Sequence, residues 1–334
     1  MNTNKYVILT GANGYLGSYI IRELLHQNYG VIACRYPHYA SVIINNEQVL
    51  YVEVDITKAA TEQYELIRAI KNKKVMGVIN AAALLGSSDY DANYKVNAQG
   101  VMNMMEFARL HGINRFIQIS SVVVQKKIKG PYGVTKLKGQ EMLIHSELDY
   151  TVFIPAMIMG PESLGLNRVL KNVFRIPFVV PLIGTGKETQ HPIYVKDLAR
   201  AVVDSIEVKA AHNKVYEIAG DRVLTFREFI RLILRYYDKK KVFIFIPPFI
   251  ARLLGKFFQK VQKVPLFTSE HVKGILQDSN LDTTQISEDL SFKPTPFEQA
   301  LAESLDAIQT RWDYYLTARN EMVIEMHSNS SNYQ

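Results

Sequence analysis

Near the start of the chain an apolar run breaks into three evenly spaced glycines: Tyr6-Val7-Ile8-Leu9-Thr10-Gly11-Ala12-Asn13-Gly14-Tyr15-Leu16-Gly17-Ser18. A helical pattern follows at once, with Ile20, Ile21, Leu24 and Leu25 as its apolar stripe up to about Gln27. The order is that of a strand, a tight turn and a helix N-terminus. A helix start offers unpaired backbone N–H groups and a partial positive charge, which suit a diphosphate. Glycine allows the unusual backbone angles of the turn, lets the main chain approach phosphates, and lets the helix pack on the strand. Gly11, Asn13, Gly14, Tyr15, Leu16 and Gly17 are therefore candidate dinucleotide contacts.

The segments that follow alternate between strand-like and helix-like patterns, the signature of an α/β chain with a parallel sheet. Val31 to Arg35 reads as a second strand. An acid at the end of that strand would bind a free ribose 2′-hydroxyl, whereas an arginine accepts a 2′-phosphate. No acid occurs there and Arg35 does, which favours NADP(H) and leaves NAD(H) open. The strand from Val49 ends in Asp55-Ile56, a carboxylate for an adenine amino group and an apolar side chain for the ring. Val75 to Asn80 ends in Ala81 and Ala82, small enough to let a cofactor cross the strand ends. A single helix is expected from about residue 91 to 111, and a fifth strand, Phe116 to Ser121, ends in two hydroxyls.

Pro131 then opens a helix carrying Tyr132 and Lys136 at i and i+4, on one face. A nearby ammonium favours phenolate and is expected to lower the tyrosine pKa. Such a tyrosine can pass a proton to or from a substrate oxygen while a nicotinamide exchanges hydride. Ser121 can hydrogen-bond the same oxygen. The candidate catalytic set is Ser121, Tyr132 and Lys136.

Together these motifs resemble the short-chain dehydrogenase/reductase superfamily, in its extended branch, the NAD-dependent epimerase/dehydratase family. The matching pieces are Thr10-Gly11-x-x-Gly14-x-x-Gly17, Asp55-Ile56, Asn80 to Ala83, Asn97-x-x-Gly100, Ser120-Ser121 and Tyr132-x-x-x-Lys136. Pro155 with Gly160-Pro161, His191 to Ala199, and Leu290 to Pro294 extend the match to about residue 310. The resemblance implies a Rossmann-type doubly wound parallel sheet of about seven strands with a smaller C-terminal substrate-binding lobe. It implies Tyr132 as general acid/base, Lys136 on the nicotinamide ribose, Ser121 as orienting group, and Pro155 beside the cofactor. It also implies a homodimer through the helices carrying Asn97 and Tyr132.

On this reading residues 1–155 form the dinucleotide-binding domain. Residues 156–312 form a substrate lobe with returning sheet elements, and 313–334 form a tail with a disordered end. The function expected is an NAD(P)-dependent oxidoreductase or epimerase acting on a carbonyl/hydroxyl pair, with a nucleotide-sugar as the first substrate class. Three departures bear on it. Only eleven positions separate Ser121 from Tyr132, where many members carry a longer loop. Phe153-Ile154 precedes Pro155 where an arginine is frequent, and Gln190 stands where nucleotide-sugar enzymes often place an arginine. A hydrophobic ketone or alcohol is therefore the alternative substrate, with Phe174, Ile176, Phe178 and Val179 as candidate pocket residues. A third reading is a non-catalytic cofactor-binding scaffold at a membrane surface.

Composition narrows the remainder. With 334 residues and 48% apolar content the chain can bury a large core. Cys34 is the single cysteine, so neither a disulfide framework nor a cysteine metal cluster is expected. The histidines lack metal-ligand spacing, and His191 beside Pro192 reads as a structural residue. No signal peptide or bilayer-spanning run is apparent, so a cytoplasmic location is expected. The net charge of +7 is concentrated: residues 239–263 hold seven basic residues and no acid. That stretch reads as an amphipathic helix with its lysines in solvent, resting on the core or on an anionic membrane surface, or as an electropositive wall for an anionic substrate. No base-reading module accompanies it, so nucleic acid is not an expected partner.

Overall fold

A computed structural model describes residues 5–36, 43–251, 253 and 277–308. The basic positions 252 and 254–263, and the tail expected over 313–334, lie outside the described residues.

The central feature is a sheet of seven parallel strands. They are β1 (Lys5–Thr10), β2 (Gly30–Arg35), β3 (Val49–Glu53), β4 (Lys74–Asn80), β5 (Arg115–Ile119), β6 (Asp149–Pro155) and, after an excursion, Lys214–Ile218. Numbered in chain order that last strand is β11, because short strands β7 (Ile158–Met159), β8 (Val179–Ile183), β9 (Thr189–Gln190) and β10 (Ile193–Tyr194) come between. The spatial order is β11-β6-β5-β4-β1-β2-β3. The order reverses at β1, so a crevice opens at the C-terminal ends of β1 and β4, where α/β sheets of this kind bind ligands.

Both faces of the sheet are covered, because alternate residues of each strand point to opposite sides. Val7 and Leu9 belong to one buried cluster with Ile20 and Leu24 of α1 (Tyr15–His26). Leu198 and Val202 of α7 (Val195–Asp204) complete that face. Ile8 between them points the other way, with Leu66 of α2 (Tyr64–Ile70) and Phe107 of α4 (Gly100–Leu110). Leu143 of α5 (Gly130–Ile144) lies on the same side. Residues beyond 155 thus supply a strand of the first unit, β11, and a helix that covers it, α7.

The smaller lobe has its own cores. Leu166 and Leu170 of α6 (Leu164–Phe174) pack with Phe229 and Ile233 of α8 (Phe226–Tyr236) and with Leu301 and Leu305 of a helix over 297–308. The strand β12 (Leu224–Thr225) pairs with β9, and Thr225 then starts α8 with a capping box to Glu228. The last strand, β13 (Val242–Ile246), pairs in parallel with β8. A further short helix, α9 (Thr284–Leu290), returns to the first unit through Ile286.

Two elements differ from the sequence expectation. The helix expected over 91–111 is α3 (Tyr90–Tyr94), a π turn (Lys95–Gln99) and then α4. The basic stretch expected as an amphipathic helix opens instead with β13, because Val-Phe-Ile-Phe-Ile finds an existing strand to pair with. Among the described residues no helix is long and apolar enough to cross a membrane.

Candidate active site

The glycine turn is built by exclusion of side chains. Gly11 sits at φ +66°, and a Cβ there would lie 2.8 Å from the Ala81 carbonyl carbon and the Ala82 nitrogen. A Cβ on Gly17 would lie 2.2 Å from the Gly11 carbonyl oxygen. The turn therefore packs backbone to backbone against the end of β4, and the first turn of α1 rests on it. Gly14 donates its N–H to Gly11 O at 2.9 Å and stands as the N-cap of α1, which has no side-chain cap. Asn13 Nδ2 is buried at this turn with no hydrogen-bond partner; the Tyr15 hydroxyl, also unpartnered, lies instead against Gly160, with Val195 beside it. Buried donors of this kind are costly unless a ligand or water completes them, so the cradle fits a polar group such as a dinucleotide. Burial pushes the Tyr15 phenol pKa up, so it is a neutral donor. Leu16 packs at the edge of the clusters beneath the turn.

At the far end of the crevice Arg35 and Glu53 face each other across β2 and β3. Their strands are in register at these residues, and Arg35 Nη2 lies 3.2 Å from Glu53 Oε1. The sequence reading found no acid at the end of β2; the fold supplies one from the neighbouring strand. Asp55 accepts from the Thr57 N–H at 3.0 Å and the Thr57 hydroxyl at 2.7 Å, so it closes a local turn. Ile56 is buried and presses on Gly100, where a Cβ would come within 2.7 Å of Ile56 Cδ1.

A ladder of amides crosses the strand ends. The Thr10 hydroxyl donates to Asn80 Oδ1. Asn80 Nδ2 donates to Gln118 Oε1 at 2.8 Å, and Gln118 Nε2 donates to Ile119 O at 3.0 Å. Sequence reading gave Thr10 and Asn80 only as parts of motifs and did not single out Gln118. A buried Gln in mid-strand was the available signal. The π turn holds Asn97 inward: its Oδ1 accepts from Leu84 N at 3.0 Å and its Nδ2 donates to Thr135 Oγ1 at 3.3 Å. Gly139 of α5 lies against the Asn97 carbonyl with no room for a Cβ.

Ser121 follows β5 and caps the short turn Val122–Gln125. The turn packs on α5 at Gly133, where a Cβ would lie 2.7 Å from Val123 Cγ1. This close approach lets a ten-residue connection bring Ser121 near enough to Tyr132 to act on its phenol. Burial nevertheless pushes the Tyr132 phenol up to about 12, and the nearby Ser121 hydroxyl offsets only part of that. This is opposite to the expected lowering. The reason is visible in Lys136, whose Nζ donates to the Ile119 carbonyl at 2.5 Å. Lys136 is itself 3% exposed, and burial lowers its pKa to about 8.

Other expected residues fall elsewhere. Pro155 ends β6, in register with Ile218 of β11. Phe174, Ile176 and Phe178 are exposed on the lobe surface. His191 is buried with both ring nitrogens engaged, Nε2 with Gly220 O at 2.9 Å and Nδ1 accepting from Leu281 N at 3.3 Å. Gln190 is paired in β9 with Leu224. Among the described residues no group of three or more acids, histidines or cysteines is placed to hold a metal.

A seven-stranded parallel sheet with a glycine turn at its first crossover and a Ser/Tyr/Lys set at the end of β5 defines an extended short-chain dehydrogenase/reductase, an NAD(P)-dependent oxidoreductase or epimerase by class. The chain belongs to the NAD dependent epimerase/dehydratase family, whose model matches residues 7–219. It is 24% identical to a UDP-glucose 4-epimerase of Vibrio cholerae, over 87% of this chain and 91% of that protein. It is also 24% identical to a mitochondrial NADH dehydrogenase 1 alpha subcomplex subunit 9 of Dictyostelium discoideum, over 90% of this chain and 83% of that one. A dTDP-glucose 4,6-dehydratase of Bacillus anthracis, solved in complex with NAD, superposes with a TM-score of 0.70 at 17% identity, covering 93% of this chain and 98% of that one.

Lys136 carries a buried charge with no carboxylate partner, so Lys136→Met should abolish turnover yet leave the melting temperature unchanged or higher. Its folded pKa is depressed, so the native state is penalised while the ammonium persists and is relieved as pH rises past about 8. The advantage of the variant in thermal unfolding should therefore shrink at alkaline pH. A large fall in melting temperature at neutral pH would contradict this account.

Proposed function

We propose that this protein is an NAD(P)-dependent epimerase or oxidoreductase acting on the carbonyl/hydroxyl pair of a nucleotide-sugar, with Tyr132 as its general acid/base. The carrying observation is Ser121 at the end of β5 brought close to Tyr132, at the same C-terminal edge of the parallel sheet as the glycine turn. The sugar-nucleotide class is supported by the Vibrio epimerase and the Bacillus dehydratase, and the dinucleotide by the NAD held in the latter.

Gly11, Gly14 and Gly17 would hold the diphosphate, with the Asn13 side-chain amide as a donor left for it. When bound, the nicotinamide supplies the two-electron exchange at the substrate carbon. Tyr132 holds its proton at Oη, and Ser121 orients the substrate oxygen toward it. The Lys136 ammonium, one turn along α5, is a donor for the ribose and stabilises phenolate when turned from Ile119 O. Asn97 keeps α3 and the loop at Leu84 in place.

Tyr132→Phe should lower kcat by about two to four orders of magnitude while the cofactor Kd stays nearly constant by calorimetry. Persistent turnover would remove Tyr132 from the mechanism. The high phenol pKa sets a sign for pH: alcohol oxidation needs phenolate and should accelerate with rising pH, whereas carbonyl reduction uses the phenol and should stay flat across neutral pH. Equal pH profiles in the two directions would contradict this. At the ribose end, Arg35 is a cation for a 2′-phosphate and Glu53 an acceptor for a free 2′-hydroxyl. Arg35→Ala should weaken NADPH about tenfold more than NADH, and Glu53→Gln should shift preference toward NADPH. Fluorescence titration of both nucleotides measures this; identical ratios in all three proteins would exclude the pair from cofactor choice.

A further inference from the structure

The β8–β13 ribbon takes no part in the proposed reaction. β13 pairs with β8 and, among the described residues, with no other strand. Its Val242 and Ile244 are exposed, as are Phe178 just before β8 and Phe249 just after β13. Single exposed apolar residues are ordinary, but several along one strand and beside its two ends mark an interaction surface. Phe178 is the strongest sign. It is 80% exposed and sits at φ +63°, a conformation that disfavours a bulky side chain and that asparagine or glycine would adopt more easily. The fold holds an aromatic ring out in solvent at a backbone position that resists it.

Beside the ribbon lies a cleft of about 410 Å³ between the end of α8 and β13. Arg231, Arg235, Lys239, Lys240 and Lys241 line it, with Leu234, Val242 and Phe243 and no acid. Among the described residues none of these five cations is in an ion pair with a carboxylate; Lys241 donates to the carbonyls of Val173 and Ile176. The chain on the β8 side continues the same sign, with four basic residues and no acid over 163–187.

We propose that this face docks on an anionic lipid surface, with headgroup phosphates in the basic cleft and the Phe178, Val242 and Phe249 side chains in the acyl boundary. Cations flanking an exposed apolar strip are the arrangement that peripheral membrane anchors use. A second copy of this chain fits less well, because a two-fold contact would set the five cations near those of its mate. The proposal does not depend on the assigned reaction, since none of these residues belongs to the Ser121, Tyr132 and Lys136 set or the glycine turn.

Co-sedimentation of the full chain with vesicles tests it. Binding is expected to phosphatidylcholine vesicles containing phosphatidylglycerol, and not to phosphatidylcholine alone, with loss at high salt. The double variant Lys239→Glu/Lys240→Glu should lose at least about tenfold in vesicle affinity. Phe178→Asn should also lose affinity several-fold while keeping or raising the melting temperature, because it relieves the backbone as it removes the ring. Unchanged NAD(P)H binding in these variants separates a failure here from a failure of the active-site assignment. No sedimentation of the parent protein, equal binding to neutral vesicles, or variants that bind like the parent would overturn the proposal. So would an ultracentrifugation result in which Phe178→Asn splits an oligomer while vesicle binding is absent.

Discussion

The architecture depends on one backbone contact, the Gly17 Cα seated against the Gly11 carbonyl with no space for a Cβ. It fixes the start of α1 directly over the end of β1, so the helix N-terminus faces the crevice where the strand order reverses. Gly11 in turn lies on the Ala81–Ala82 backbone and sets the height of the turn above β4. From there the position is passed on through hydrogen bonds. Thr10 binds Asn80, Asn80 binds Gln118, Gln118 binds the Ile119 carbonyl, and Lys136 binds that same carbonyl. A continuous chain of buried polar groups thus joins the glycine turn to α5. Buried amides are tolerated only when paired, so each rung constrains the next and the strand ends cannot slide independently.

Most of this was legible in the sequence where it is local. The strand–turn–helix at Gly11 to Gly17, the strands β1 to β6 and the Ser121, Tyr132 and Lys136 set all follow from short-range pattern. What escaped depends on neighbours distant in sequence. The Arg35–Glu53 pair needs the register of β2 against β3, and no periodicity reveals a register. The π turn at Lys95–Gln99 keeps an apolar stripe close to that of an uninterrupted helix, so periodicity runs straight through it. Residues 242–246 carry five apolar residues rich in β-branched and aromatic types, a strand signal, yet the lysines around them suggested one face of a helix. The deciding partner, β8, lies some sixty residues earlier. The Tyr132 pKa failed for a different reason: spacing on a helix puts two side chains on one face but does not say which acceptor the amine chooses.

An apolar edge strand is a hazard, and the sequence around β13 manages it in recognisable ways. Lys239 to Lys241 precede the strand and Pro247-Pro248 follow it, so charge at one end and missing N–H groups at the other limit its extension. Lys241 also closes the C-terminal end of α6 by donating to Val173 and Ile176, which ties the strand to the lobe core. These devices restrict strand-to-strand pairing along the edge while leaving the side-chain face open.

Burial acts on the two central titratable groups in opposite directions with one result. It raises the Tyr132 phenol and lowers the Lys136 amine, so each is driven toward its neutral form. A site so arranged holds a proton on the tyrosine oxygen and resists losing it. Only an added charge or donor close to that oxygen shifts the balance, and in the proposed reaction that group is the Lys136 ammonium, now held by Ile119 O. Moving that amine from a carbonyl at the strand end toward a bound ribose exchanges one hydrogen bond for another, at little net cost, while Gln118 continues to serve the Ile119 carbonyl. The second donor on Ile119 O thereby makes the lysine free to act: its departure leaves no buried acceptor unpaired.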